Sequence, residues 1–275
     1  MPSETQYADD CDFYDEDDKY FKEQLLPKIK STFEEWNLIV NETKTEYTNI
    51  EISPETENRG KESWRQSKIL GSKLGSNEDI LHRMNLGCIA FANFKKIWKN
   101  SKYIETNTKI RLYEALVVPV IMYNSGTWAS TRQVLDKLDS LHRRHIKEIM
   151  KIKWPSRIGN KELYEKSNTV PLSERAKSAR WKMLGKILRH SELNPAKASL
   201  IYANITINGK TIKGRRGKPR KNLYDTIKED LKEVNLDFET AKDVAADPKI
   251  WENLKNDSKK LLRRSERIAE KAANN

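Results

Sequence analysis

A mainly α protein with a small α+β segment at its N-terminus is the fold class this 275-residue chain predicts. Three observations carry that expectation. Apolar residues recur at helical spacing through most of the chain beyond residue 67, most clearly at Val134, Leu138, Leu141, His145, Ile149 and Ile152. Strand-like signals are confined to the first forty residues, at Tyr7-Ala8-Asp9-Asp10 and Leu38-Ile39-Val40. The composition, 37% hydrophobic and 33% charged, allows a folded core but a modest one for the length.

In chain order, residues 1–66 hold a short hairpin, one amphipathic helix and a loop. The hairpin enters through Thr5-Gln6 and leaves through Cys11-Asp12-Phe13-Tyr14. The helix presents Leu25, Ile29, Phe33 and Trp36 at helical spacing. Residues 51–66 are polar, contain Pro54 and Gly60, and read as a loop. Residues 67–192 are expected to be mostly helical and to fold as a module. Gly71 and Gly75 suit a tight turn at its start, because Lys68-Ile69-Leu70-Gly71 is too short for a phosphate-cradling loop. A later helix is expected to start at Ser173, an N-cap candidate after Pro171, and to bury Ala176, Ala179, Met183 and Ile187. Residues 193–275 hold a Gly/Lys/Arg loop and two or three further helices, one near Leu223, Ile227, Leu231 and Val234, the last near Trp251, Leu254, Leu261 and Ile268. No internal repeat and no sustained heptad run is present.

Charge is unevenly placed. Residues 1–60 carry 16 Asp/Glu against 6 Lys/Arg, which leaves 46 basic against 24 acidic residues in 61–275. So basic a stretch attracts polyanions through counterion release, with little reading of sequence. The longest apolar run, Ala115 to Met122, is interrupted by Pro119 and too short to span a bilayer, so no membrane partner is expected. Two cysteines, Cys11 and Cys88, make neither a disulfide framework nor a Cys-rich zinc knuckle.

Several positions are candidates for chemistry. Asp9 and Asp10 are adjacent carboxylates, a pairing that a cation stabilises and that two-metal sites use. His142 and His145 lie three apart on a helix without a third metal ligand nearby in sequence, and His145 falls on the apolar face. His142, Arg143 and Arg144 read better as a phosphate-contacting patch. Arg175, Lys182, Lys186 and Arg189 recur at spacings that line one stripe of a helix. Arg180 and Trp181 offer stacking on unpaired bases, against a core role for Trp181. Lys213 to Lys221 is the densest basic stretch, with Arg215, Arg216, Lys218 and Arg220 among glycines and a proline that discourage helix. Nucleic-acid contact, a nuclear-import signal and an inert linker all fit that composition.

Taken together these segments resemble the C-terminal half of a LINE-type (non-LTR) retrotransposon endonuclease–reverse transcriptase. Tyr7-Ala8-Asp9-Asp10 is similar to the polymerase metal hairpin. Trp36-Asn37-Leu38-Ile39-Val40-Asn41-Glu42-Thr43-Lys44-Thr45 is similar to the helix end and N-x-x-K-T segment that follow it. Lys68-Ile69-Leu70-Gly71 resembles the segment at the palm–thumb junction. Asp79-Ile80, Arg83-Met84, Phe94, Ile97-Trp98 and Thr108-Lys109 continue into the thumb. Tyr123-Asn124-Ser125-Gly126-Thr127-Trp128 resembles a Y-G-x-E-x-W segment, with Asn124 and Thr127 where the family usually has Gly and Glu. His142-Arg143-Arg144, Ile152-Lys153-Trp154, Arg180 to Arg189, Gly214 to Lys221 and Trp251 follow in the family's order.

The resemblance implies a remnant of the polymerase palm over 1–66, a helical thumb-like domain over 67–192 and a basic helical region over 193–275. It implies that Asp9 and Asp10 stand at metal-ligand positions, with Asp9 the principal ligand, and Lys44 near the leaving pyrophosphate. The intact enzyme would copy RNA into DNA with two Mg²⁺ ions. The fingers and the other catalytic aspartate lie before the hairpin in that family, so these residues are expected to hold nucleic acid but not, alone, to hold Mg²⁺ or polymerise. Binding of RNA or DNA with low sequence preference and a nuclear or cytoplasmic location are the corresponding expectations. The alternative is a host nucleic-acid-binding or interaction module derived from such an element.

Overall fold

The computed structural model describes residues 4–8, 10–50, 63–99, 103–191, 193–202 and 222–254. They are mainly helical, with two small two-stranded sheets. They fall into two compact units, one up to Gly75 and one from Ser76 onward. The turn at 70–71 therefore belongs with the N-terminal unit, and the helices beyond residue 192 share a unit with 76–191.

The N-terminal unit opens with the expected hairpin. β1 (Glu4–Tyr7) pairs antiparallel with β2 (Asp10–Phe13), Tyr7 opposite Asp10. A two-residue connection needs positive φ, and Ala8 sits at 54°. Asp17 then caps α1 (Asp18–Tyr20), its Oδ1 accepting the Lys19 and Tyr20 N–H groups at 2.9 and 3.0 Å. A π-helical turn, Phe21–Leu25, leads into α2 (Leu26–Glu35), where Pro27 near the start supplies no N–H. Phe13 of the hairpin meets Phe33 of α2 edge-on, ring centroids 6.3 Å apart.

Two expectations fail here. Trp36 lies past the end of α2 and is 75% exposed, so it does not extend the apolar face. Leu38-Ile39-Val40 is not a strand, and Ile39 is 94% exposed. A strand needs a neighbour to satisfy its backbone groups, and none of the described residues pairs with this segment. The second hairpin, β3 (Lys68–Ile69) with β4 (Ser72–Lys73), turns through Leu70 and Gly71 at φ 48° and 75°, as the glycine suggested.

The second unit is all helix: α3 (Ser76–Asn93), α4 (Lys95–Lys99), α5 (Thr106–Leu116), α6 (Val118–Ile121), α7 (Arg132–Ile149), α8 (Asn160–Ser167), α9 (Leu172–Arg189), α10 (Pro195–Tyr202), α11 (Leu223–Lys232), α12 (Phe238–Ala245) and a last stretch over 248–254. One core gathers Ile80, Phe91, Trp98, Tyr113, Ile121, Trp128, Leu138 and Ile146. Gly87 lets α3 approach α6, since a methyl there would overlap Ile121. A second core gathers Trp181, Leu184, Leu188, Ile227, Leu231 and Trp251. Helix α9 belongs to both, with Leu172 and Ala176 in the first. That is why Ala179, Met183 and Ile187 are only half-buried: the apolar face turns along the helix as its partners change.

The start of α9 also departs from expectation. Helix geometry begins at Leu172, and Ser173 is not the cap. Asp139 of α7 takes that part across the fold, its carboxylate accepting the Ser173 N–H at 2.9 Å and the Ser173 hydroxyl at 2.6 Å. At the other end the Lys197 ammonium of α10 donates to the carbonyls of Leu188 and His190 at 3.2 and 3.0 Å. Helices α11 and α12 each open with a capping box, Asn222 with Asp225 and Asp237 with Thr240.

Candidate nucleic-acid interface

The hairpin tip presents Asp10 in an exposed position directly across from Tyr7. Asp12, two residues on and on the same face of β2, has its carboxyl pushed up by partial burial and by the Asp10 charge. Lys44 is exposed in a turn, its N–H bonded to the Asn41 carbonyl at 3.1 Å. Among the described residues no hydrogen bond or ion pair joins Lys44 to Asp10, and no group of three metal-ligating side chains gathers. Asp9 lies outside the described residues.

Helix α7 divides its charges between two faces. His142 faces inward and is fully buried, its Nδ1 2.9 Å from the Tyr113 hydroxyl. Burial, with a smaller contribution from the Arg175 charge, holds this imidazole neutral and pushes its pKa down to about 3. It cannot contact a phosphate from there, so the expected patch shrinks to the two arginines. His145 is buried too, stacked on Phe91 with centroids 4.0 Å apart, and burial lowers its pKa to about 4. It is a core histidine, as its place on the apolar face implied. Tyr164, over the His142 ring, is pushed up to about 12, chiefly by burial.

The outward face of α7 is cationic. Ser140, Arg143, Arg144 and Lys147 follow at helical spacing, and Lys153 joins them after the chain reverses at Lys151. These residues, with Glu148 and Ile152, line an open groove of about 410 Å³. Arg143 is steadied by the Ser140 hydroxyl at 2.9 Å. Lys147 and Lys153 escape a sequence reading because isolated lysines in a lysine-rich chain carry no signal. Trp154, next to Lys153, is 86% exposed.

The α9 stripe is only partly free. Lys182 and Lys186 are exposed. Arg175 is engaged with Glu114 of α5 at 2.5 Å, and Arg189 donates to the Ala245 carbonyl at 3.1 Å. Arg180 and Trp181 are not available to bases. Arg180 is buried and donates to Asp230 at 2.6 Å, beside Lys177, which pairs with Asp230 and Glu233. Trp181 is buried beside Trp251, whose Nε1–H donates to the Trp181 carbonyl at 2.9 Å. Gly185 permits that approach, because a methyl there would overlap the Trp251 indole. Arg215, Arg216, Lys218 and Arg220 lie outside the described residues.

Segments that read as separate motifs meet in the fold. The Trp128 Nε1–H donates to Asp79 at 2.8 Å, Arg83 pairs with Asp79 at 3.6 Å, and its guanidinium lies 4.2 Å from the centre of the Tyr123 ring. Asn124 sits at φ 54° in the left-handed region that Gly adopts freely and Asn tolerates. No protein-family model, no curated protein and no solved structure matches the chain. Among the described residues, no helix is long and apolar enough to cross a membrane.

Proposed function

We propose that these residues are the C-terminal part of a LINE-type reverse transcriptase, a metal-hairpin remnant followed by thumb and basic C-terminal parts, and that by themselves they bind nucleic acid without polymerising it. The observation that carries this reading is order: the Tyr7-Ala8-Asp9-Asp10 sequence, with Tyr7 and Asp10 paired across a hairpin, then the family-like segments in sequence through Trp251. It is supported by the contacts among those segments, Asp79 with Trp128, Arg83 with Tyr123, and Gly185 with Trp251. The cationic face of α7 supports the binding half of the proposal.

A two-metal site needs carboxylates from more than one strand to hold both ions in register with the attacking and leaving oxygens. Asp9 and Asp10 supply one hairpin's share, and Lys44 stands at the family position of a cation near the pyrophosphate. Mg²⁺ ions bound there would polarise the phosphoryl group and activate a primer hydroxyl. The 275-residue protein is expected to give no primer extension with RNA template, primer, deoxynucleotides and Mg²⁺. Extension above background that disappears in Asp9→Ala or Asp10→Ala would show an active polymerase and overturn that half of the reading.

A further inference from the structure

Four of the described tryptophans, Trp98, Trp128, Trp181 and Trp251, are almost wholly buried, whereas Trp36 is 75% and Trp154 86% exposed. A single exposed aromatic needs no explanation by itself. The setting of Trp154 gives it one. Helix α7 ends at Ile149; Lys151, two residues on, takes the left-handed conformation, and the Ile152 N–H returns to the Lys147 carbonyl at 3.0 Å. That reversal carries Lys153 onto the groove beside Arg143, Arg144 and Lys147. The next turn, closed by the Ser156 N–H on the Lys153 carbonyl at 2.9 Å, leaves the indole of Trp154 in solvent directly after the last cation. Among the described residues lining the groove there are four cations and one carboxylate, Glu148.

Trp154 does not itself line the groove but follows Lys153 of its lining in the chain, and a cationic groove with a free aromatic ring one residue along is a chemistry that holds unpaired nucleic acid. Phosphates follow the positive side chains and a base lies on the ring, with little regard to sequence. A duplex offers the phosphates but hides its base faces in the stack. We propose that the outer face of α7 and the turn after it form a single-strand site, in which Trp154 stacks one unpaired base while Arg143, Arg144, Lys147 and Lys153 hold the flanking phosphates. The site rests on the nucleic-acid reading above and narrows it to single strands. It also moves base stacking from Arg180 and Trp181, which are buried, to Trp154.

The test measures binding of the full protein to a fluorescein-labelled single-stranded oligonucleotide and to a hairpin duplex, by anisotropy over a salt series. Trp154→Ala is expected to weaken single-strand binding by roughly five-fold to a hundred-fold, the range of one base–aromatic stack. It should leave duplex binding within about two-fold and the salt slope unchanged, because stacking releases no counterions. Trp154→Phe should keep most of the affinity. Arg144→Ala with Lys147→Ala should weaken both ligands and flatten the single-strand slope by about 0.7 for each phosphate no longer neutralised. Circular dichroism melts check that each variant folds, and the exposure of Trp154 and Arg144 favours that. If Trp154→Ala keeps full single-strand affinity, or loses duplex binding equally, the stacking site is wrong while nucleic-acid binding stands. If the wild-type protein binds neither ligand, both readings fall together.

Discussion

Two imidazoles held neutral in an apolar interior set an acid limit on the second unit. His142 and His145 have folded-state pKa values near 3 and 4, below the ordinary value of about 6.5, with burial the main cause for both. Unfolding therefore takes up protons. Stability is complete above about pH 6.5, falls as the pH drops through that value, and stops falling only below the folded values. Between pH 7 and pH 5 the loss should be on the order of 2 kcal/mol per histidine, and urea unfolding at the two pH values measures it. His145→Leu should remove its share of the dependence; an unchanged difference would place the titration elsewhere. His145 was legible in the sequence because it falls four residues after Leu141 and four before Ile149. His142 was not, because it stands next to Arg143-Arg144 and reads as part of that charge run. Its burial depends on α5 and α8, which widen the covered arc of α7 beyond what one apolar stripe predicts.

Helix endings show a regular device. Asn37, Asn168 and Asn235 each take a left-handed conformation at a helix cap or within two residues after it, and the next N–H reaches back five residues, from Leu38 to Phe33, Thr169 to Tyr164 and Leu236 to Leu231. Lys151 does the same at φ 58° without a side chain suited to it. Lys151→Gly should raise stability by roughly 1 kcal/mol, less the extra freedom glycine gains when unfolded. Paired thermal melts measure this, and a lower melting temperature for the glycine variant would mean that Lys151 makes an unseen contribution. Helix positions were readable for α7 and α11, whose apolar residues keep one period and one set of neighbours. They were not for the start of α9, where the capping carboxylate comes from Asp139, outside any local window. The strand expected at 38–40 rested on three apolar residues, and apolar character alone supplies no pairing partner.

At the scale of the whole molecule, the chain beyond residue 60 carries an excess of cations, and two groups of them are candidates for phosphate contact. One is the α7 groove, where position is fixed by a helix. The other is the run from Lys213 to Lys221, whose composition fits contact, import signal or linker. Changing Arg215, Arg216, Lys218 and Arg220 together to Ala should flatten the salt dependence of duplex binding by up to about three to four units if all four meet phosphate, and weaken unrelated sequences alike. A slope equal to the wild type would assign the binding to α7 and leave the run as linker or signal. The basic balance was plain in the composition. Its distribution was not, because several of the arginines and lysines counted in it are spent inside the fold: Arg175 on Glu114, Arg180 and Lys177 on Asp230.

Helix α9 is a wall shared by two rooms, and that has a consequence for any shortened version of this polypeptide. Its far side holds Trp181, Leu184 and Leu188 against the helices that follow, and its buried cations Lys177 and Arg180 pair with Asp230 of α11 and, for Lys177, with Glu233 just beyond it. A reading frame interrupted between α9 and α11 would yield a product with an oily strip in water and two cations without the carboxylates of Asp230 and Glu233. Such a product is a substrate for quality control rather than a smaller working domain. Damage to the 3′ part of the coding sequence would therefore be felt as loss of the protein, while the residues of the α7 groove remained encoded.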